Sequence, residues 1–115
     1  MPESSLLVAC LCAEWCGVCG EYRSRFEQVR AKFPLARFVW VDVEDQADLV
    51  EPIDVEDFPT LLIAVGDVPR FFGAVTPQLE TLERLVRNRL ASGGGAALQQ
   101  PDVAQLVVKL RSLPH

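Results

Sequence analysis

The apolar positions of this chain fall into short blocks, and the spacing within each block points to its element. Leu6 to Ala13 ("LLVACLCA") is an unbroken apolar run of strand length, the mark of a strand covered on both faces. Tyr22, Phe26, Val29 and Phe33 then recur at helical spacing, which predicts a helix from about Cys16 to Phe33, stopped by Pro34. Arg37 to Val43 ("RFVWVDV") reads as a second strand. Joined to the first through a helix, it should lie parallel beside it with a right-handed crossover. "EDQADLVEP" suggests a short helix, and "TLLIAV", Gly66-Asp67 and "VPRFFGAV" suggest an antiparallel hairpin.

Thr76 followed by Pro77 has the form of a helix start, an N-cap hydroxyl before a pre-set first residue. Leu79, Leu82, Leu85, Val86 and Leu90 supply the apolar stripe of that helix. "SGGG" (92–95) interrupts the pattern as a flexible link. Beyond it, Val103, Leu106, Val107 and Leu110 recur at i, i+3, i+4 and i+7, with Asp102 and Gln105 placed as a capping box. A terminal helix with a face to bury is expected there, a frayed tail being the alternative for so short a segment. The order is therefore β-α-β-(α)-β-β-α, then a link and a last helix.

With 115 residues the chain suits one domain, and with half of them hydrophobic it can form a core. The net charge is −5 and no basic block exists, which argues against a nucleic-acid partner. "LLVAC" resembles a lipoprotein cleavage site, but "MPESS" carries an acid and no base, and only four apolar residues precede Cys10. A signal peptide wants a basic start and an apolar stretch of about 7–15 residues. No apolar run approaches the roughly 18 residues of a membrane span. The expectation is a cytoplasmic protein that does not engage a membrane.

All four cysteines, Cys10, Cys12, Cys16 and Cys19, lie within ten residues. A secreted scaffold would spread its cysteines to close loops, so the clustering favours a redox or metal site in a reducing compartment. Cys16 falls at the first turn of the helix, where free backbone N–H groups and the positive end of the macrodipole favour a thiolate. Cys19 lies one turn on, facing the same way and deeper, an arrangement suited to attack, mixed disulfide and release. Zinc competes, since C-x-C-x3-C-x2-C offers four thiolates. Against it, Cys10 and Cys12 belong to an apolar strand, and the one histidine, His115, is the last residue. Cys10 and Cys12 read best as small buried hydrophobes pointing into the core from one strand face.

"AEWCGVC" between strand and helix, "DFPT" entering the hairpin and Gly73 after it together resemble the thioredoxin family from about Leu6 to Leu90. The resemblance implies an α/β, thioredoxin-like fold, a central mixed sheet flanked by helices, to which the apolar spacing beyond the link adds an extra C-terminal helix. The break at the link divides the chain into a thioredoxin-like domain, 1–91, and a Gly-rich link with C-terminal helix, 92–115, expected to pack on the same domain. The resemblance implies that Cys16 is the nucleophile and Cys19 the resolving cysteine, hence one disulfide, Cys16–Cys19, with Cys10 and Cys12 left reduced. Pro59 would be a cis-proline, and the backbone of Phe58 would pair with a substrate segment like an added strand. Trp15, Gly17 and Gly73 would complete the docking surface.

Several positions depart from that pattern. The family has a strand and a helix before the equivalent of Leu6, where only five residues stand here, and the terminal helix is expected to cover the surface left open. Val18 replaces a common proline and has an N–H to offer the Cys16 thiolate. Gly20 stands where a lysine is often found. The buried aspartate that helps deprotonate the resolving cysteine falls at Cys10, the usual tryptophan at Cys12, and a buried lysine near Trp40.

The function implied is a thiol–disulfide oxidoreductase acting on protein disulfides through the Cys-Gly-Val-Cys dithiol. It would need no cofactor or metal, act as a monomer, and draw electrons from a thiol or flavoprotein reductase. The alternative is a thioredoxin-fold protein-binding module whose redox pair is vestigial or regulatory, a reading favoured by the loss of the polar relay.

Overall fold

The structure is a computed structural model and describes residues 6–13, 16–51, 53, 55–91 and 97–113. Its centre is the strand β1 (Leu6–Cys12), all seven residues of which are buried. β1 pairs in parallel with β2 (Arg37–Asp42), from Leu7 opposite Arg37 to Cys12 opposite Asp42. On its other side it runs antiparallel to β3 (Thr60–Val65), which turns back into β4 (Val68–Ala74). The sheet order is β2-β1-β3-β4. The hairpin turns at Gly66, whose φ of 60° is the left-handed conformation glycine adopts without a side-chain clash.

The helices are α1 (Gly17–Lys32), α2 (Ala47–Val50), α3 (Leu79–Ala91) and α4 (Pro101–Arg111). The alternation of β1 sorts them onto two faces. Leu6, Val8, Cys10 and Cys12 pack with Tyr22, Phe26 and Val29 of α1 and Leu82 and Val86 of α3. Leu7, Ala9 and Leu11 point the other way, onto Val103, Leu106, Val107 and Leu110 of α4 and Val50 of α2. A mixed sheet flanked by helices is the architecture the resemblance implied, and the added C-terminal helix is the one that the spacing of Val103, Leu106, Val107 and Leu110 predicted.

Polar contacts hold α4 where its apolar face is buried. Arg37 of β2 donates to the carbonyls of Arg111 (3.3 Å) and Leu113 (2.7 Å), and Arg111 Nε donates to the carbonyl of Gly66 at 3.0 Å. Ahead of the helix, the Leu98 N–H reaches the Pro69 carbonyl at 2.9 Å. The link at 92–95 lies outside the described residues.

Three local expectations are corrected. The third helix begins at Leu79 rather than at Pro77: the Pro77 carbonyl accepts from Arg25 of α1, and the Thr76 hydroxyl meets that of Thr81 instead of a backbone N–H. In α4, Asp102 and Gln105 form no capping box. Gln100 is the N-cap and Pro101 the first helical residue, so Asp102 is already inside the first turn. Leu90 leaves the apolar stripe: it is 42% exposed, while Leu82 and Val86 of the same helix are buried in the core.

Leu106→Ala should lower stability by about 2–5 kcal/mol in urea titrations, the usual range for a fully enclosed leucine. Val108→Ala, on the outer face of the same helix at 52% exposure, should stay within about 0.5 kcal/mol of the parent. Removal of everything after Gly95 should lower the melting temperature by several degrees or more.

Candidate active site

β1 ends and α1 begins at one corner of the sheet, and the cysteines gather there. Cys16 is the N-cap of α1, still extended (φ −82°, ψ 120°), and its side chain makes no capping bond. Its N–H donates to the Ala13 carbonyl at 3.0 Å, and its own carbonyl accepts from Gly20 at 3.2 Å. These bonds fold the chain back between strand and helix and leave Cys16 half-buried at the corner. Cys19, third in the helix, is only 1% exposed and is the deeper of the two.

The expected Cys16–Cys19 disulfide is not the one formed. Cys19 is bonded to Cys12, with their Cα atoms 5.8 Å apart, while Cys16 and Cys10 are free thiols. The reason lies in the packing. Alternation along β1 aims Cys12 at α1, and as the last residue of the strand it sits beneath the first turn of the helix. The Ala13 N–H donates to Cys19 Sγ at 3.4 Å and holds that sulfur toward the strand end. Cys12 is therefore not merely a small buried hydrophobe. The strand pattern alone does not single out Cys12 over Cys10; the first turn of α1 above the strand end does.

Cys10 matches the inert reading. Enclosed by the core, its thiol is pushed well above the ordinary value of 9.0 by burial. Tyr22 is raised as well, first by burial, then by the neighbouring Cys10, with Arg25 opposing. The Tyr22 hydroxyl is buried with no hydrogen-bond partner among the described residues. Trp40 stacks edge-on against Phe26, with the Arg23 guanidinium over its ring. Asp42, paired in register with Cys12, accepts from the N–H groups of Glu44 (2.9 Å) and Asp45 (3.1 Å), closing the turn after β2.

The Phe58-Pro59 peptide is cis. Pro59 is buried and its carbonyl accepts from Val75 at 3.1 Å, while the Thr60 hydroxyl donates to the Asp57 carbonyl at 2.6 Å. Phe58 and Cys16 both pack on the cluster that contains Cys12 and Cys19, so loop, helix start and disulfide share one patch of core. Gly17 opens α1 at the surface with nothing within 4 Å of where a Cβ would stand. Gly73 sits on β4 opposite Leu61. Trp15 lies outside the described residues.

Residues 2–87 match the family model described as Thioredoxin. The chain belongs to the thioredoxin family. It is 31% identical over 91 residues to Thioredoxin H2-1 of Oryza sativa subsp. japonica, an alignment covering 77% of this chain and 66% of that protein. To the thioredoxin of Ophiophagus hannah it is 33% identical over 79 residues, 67% of this chain and 75% of the relative. Among solved structures, thioredoxin from Trypanosoma brucei brucei superposes with a TM-score of 0.67 at 26% identity, covering 79% of this chain and 80% of that one. Family membership and a bonded cysteine pair support a redox oxidoreductase role in general. No described helix is long and apolar enough to cross a membrane.

Two predictions follow from the Cys10–Tyr22 pair. Tyr22→Phe removes a buried hydroxyl that has no partner, so it should raise stability by about 1 kcal/mol, read as a higher urea midpoint. The folded-state pKa of Cys10 lies above its unfolded value, so the unfolded chain is first to lose this proton as pH rises. The stability it contributes is fully present below about pH 9 and declines above it. Stability of the parent should fall more steeply with pH than that of Cys10→Ala, the slopes differing by about 1.4 kcal/mol per pH unit once the unfolded thiol is ionised.

Proposed function

We propose that this protein is a thiol–disulfide oxidoreductase acting on protein disulfides. The observation that carries the reading is an accessible thiol at the N-cap of α1 one turn before a buried cysteine whose sulfur already takes part in a disulfide. Cys16, as thiolate, attacks one sulfur of a substrate disulfide; a mixed disulfide forms and the other substrate sulfur leaves as a thiolate. Cys19 then attacks Cys16 Sγ, closing Cys16–Cys19 and releasing the second substrate thiol. Two electrons have passed to the substrate, and a thiol or flavoprotein reductase returns them. No cofactor is required in either step.

The roles of the surrounding residues follow from their chemistry. The Phe58 backbone, at the entry to β3, pairs with an extended substrate segment like an added strand. Gly17 and Gly73 keep side chains out of the approach, and Trp15 supplies an apolar contact. We place the protein in the cytoplasm as a monomer, where a reducing pool can reset it.

One observation favours a second reading, a binding module with weak turnover. Cys19 must lose a proton before it attacks, burial works against a thiolate, and the β1 residues on its face of the sheet, Cys10 and Cys12 among them, include no acid. Reduction of the disulfides of insulin, followed by turbidity, separates the two. The parent should turn over and Cys16→Ser should fall to the buffer background; a parent no faster than Cys16→Ser would establish the module.

The same deficit sets the pH dependence. Capture by Cys16 should be fast near neutrality, and release slow and quickening as pH rises. Cys10→Asp introduces a proton acceptor, and a hydrogen-bond acceptor for Tyr22, so release should quicken near neutral pH at some cost in stability. Rapid-quench timing of mixed-disulfide formation and decay measures both steps.

A further inference from the structure

We propose that Cys12 is a third redox cysteine, which competes with Cys16 for Cys19, and that Cys12–Cys19 is the resting disulfide of the oxidised protein. In that state Cys16 is a lone accessible thiol that captures partners without releasing them. The proposal rests on the oxidoreductase reading for its first step and goes beyond it in everything that follows.

Cys19 has two partners within disulfide reach. Cys16 lies three residues before it across the helix start, a spacing that brings side chains together on one helical face. Cys12 lies across the strand–helix corner with its Cα 5.8 Å away, inside the range a disulfide spans without backbone movement. The Ala13 N–H bond to Cys19 Sγ steers that sulfur toward the strand. One sulfur cannot serve both partners at once, so the two disulfides exclude each other.

Their interconversion is an internal exchange with no net redox change. After turnover has closed Cys16–Cys19, the Cys12 thiol gives up its proton and its sulfur attacks Cys19 Sγ. The Cys12–Cys19 bond forms, the Cys16–Cys19 bond breaks, and Cys16 leaves as a thiolate that takes a proton from solvent. Burial sets the direction. Cys12 and Cys19 are each 1% exposed, and Cys16 is half-buried at the corner. A disulfide is uncharged and accepts an apolar enclosure, whereas a thiol that ionises or reacts belongs where water and substrate reach it. Pairing the two enclosed sulfurs and freeing the accessible one satisfies both demands.

With Cys19 committed to Cys12, a partner disulfide attacked by Cys16 gives a mixed disulfide that no thiol of the chain is placed to resolve. Cys10, the remaining thiol, is enclosed in the core beside Tyr22. Release then waits for an external reductant to open Cys12–Cys19. Oxidising conditions thus convert a turnover enzyme into a capturing one.

The test oxidises the reduced full chain with one equivalent of diamide, stops samples with acid over time, and labels free thiols. Cleavage after Glu14 separates Cys12 from Cys16 and Cys19 before mass spectrometry. Cys16–Cys19 should appear first and give way to Cys12–Cys19 in an excess on the order of tenfold, with label returning to Cys16. Persistence of Cys16–Cys19 as the final product would overturn this inference and leave the oxidoreductase reading intact. No disulfide at Cys16 or Cys19 at any time would overturn both. Oxidised parent treated with 5,5′-dithiobis(2-nitrobenzoate) should release one equivalent of thionitrobenzoate and keep the adduct. Reduced parent should release two, the second as Cys19 displaces the adduct. Two equivalents from the oxidised form would also overturn the proposal. Cys12→Ala should stop at Cys16–Cys19; if that variant fails to fold, the time course on the parent still decides.

Discussion

Everything in this molecule depends on the burial of β1 on both faces. A strand enclosed in this way must be apolar along its whole length, and Leu6 to Cys12 meets that demand with three leucines, a valine, an alanine and two cysteines. Strand alternation then divides the structure. Even-numbered residues support α1 and α3, and odd-numbered ones support α4 and α2. The position of Cys12 at the helix-facing end, and so the choice of sulfur that Cys19 meets, follows from that parity. A one-residue slip of register would turn Cys10 and Cys12 toward α4 and dissolve the cysteine cluster.

Most of the fold could be read from the chain because its signals are local and repeated. The run Leu6–Ala13, the helical spacing from Tyr22 to Phe33 and the Gly66-Asp67 turn each encode one element within a few residues, and each element formed. The terminal helix was legible for the same reason: Val103, Leu106, Val107 and Leu110 hold one stripe, and all four are buried. The helix starts were less legible because capping is decided by neighbours that the local pattern does not contain. Arg25, fifty-two residues upstream, takes the Pro77 carbonyl.

The candidate site was half legible. The resemblance named Cys16 and Cys19, the cis peptide at Pro59 falls where it was expected, and Trp15 lies outside what the structure describes. The disulfide escaped because Cys10 and Cys12 look equivalent from the strand pattern alone: same face, same chemistry, both enclosed. What separates them is the overhang of the α1 first turn, a tertiary fact. Cys12 meets the sulfur of Cys19, whereas Cys10 lies in the cluster near Tyr22, one turn farther along the helix.

The sheet also acts as a partition. On one side lie the sulfurs, the unpartnered tyrosine hydroxyl and every group that changes charge or bonding in the chemistry described. On the other, α4 and α2 meet the sheet through aliphatic side chains. Substitutions on the α4 side can therefore shift the stability of the whole without touching a reacting atom, and redox potential and stability become properties that can drift or be engineered separately.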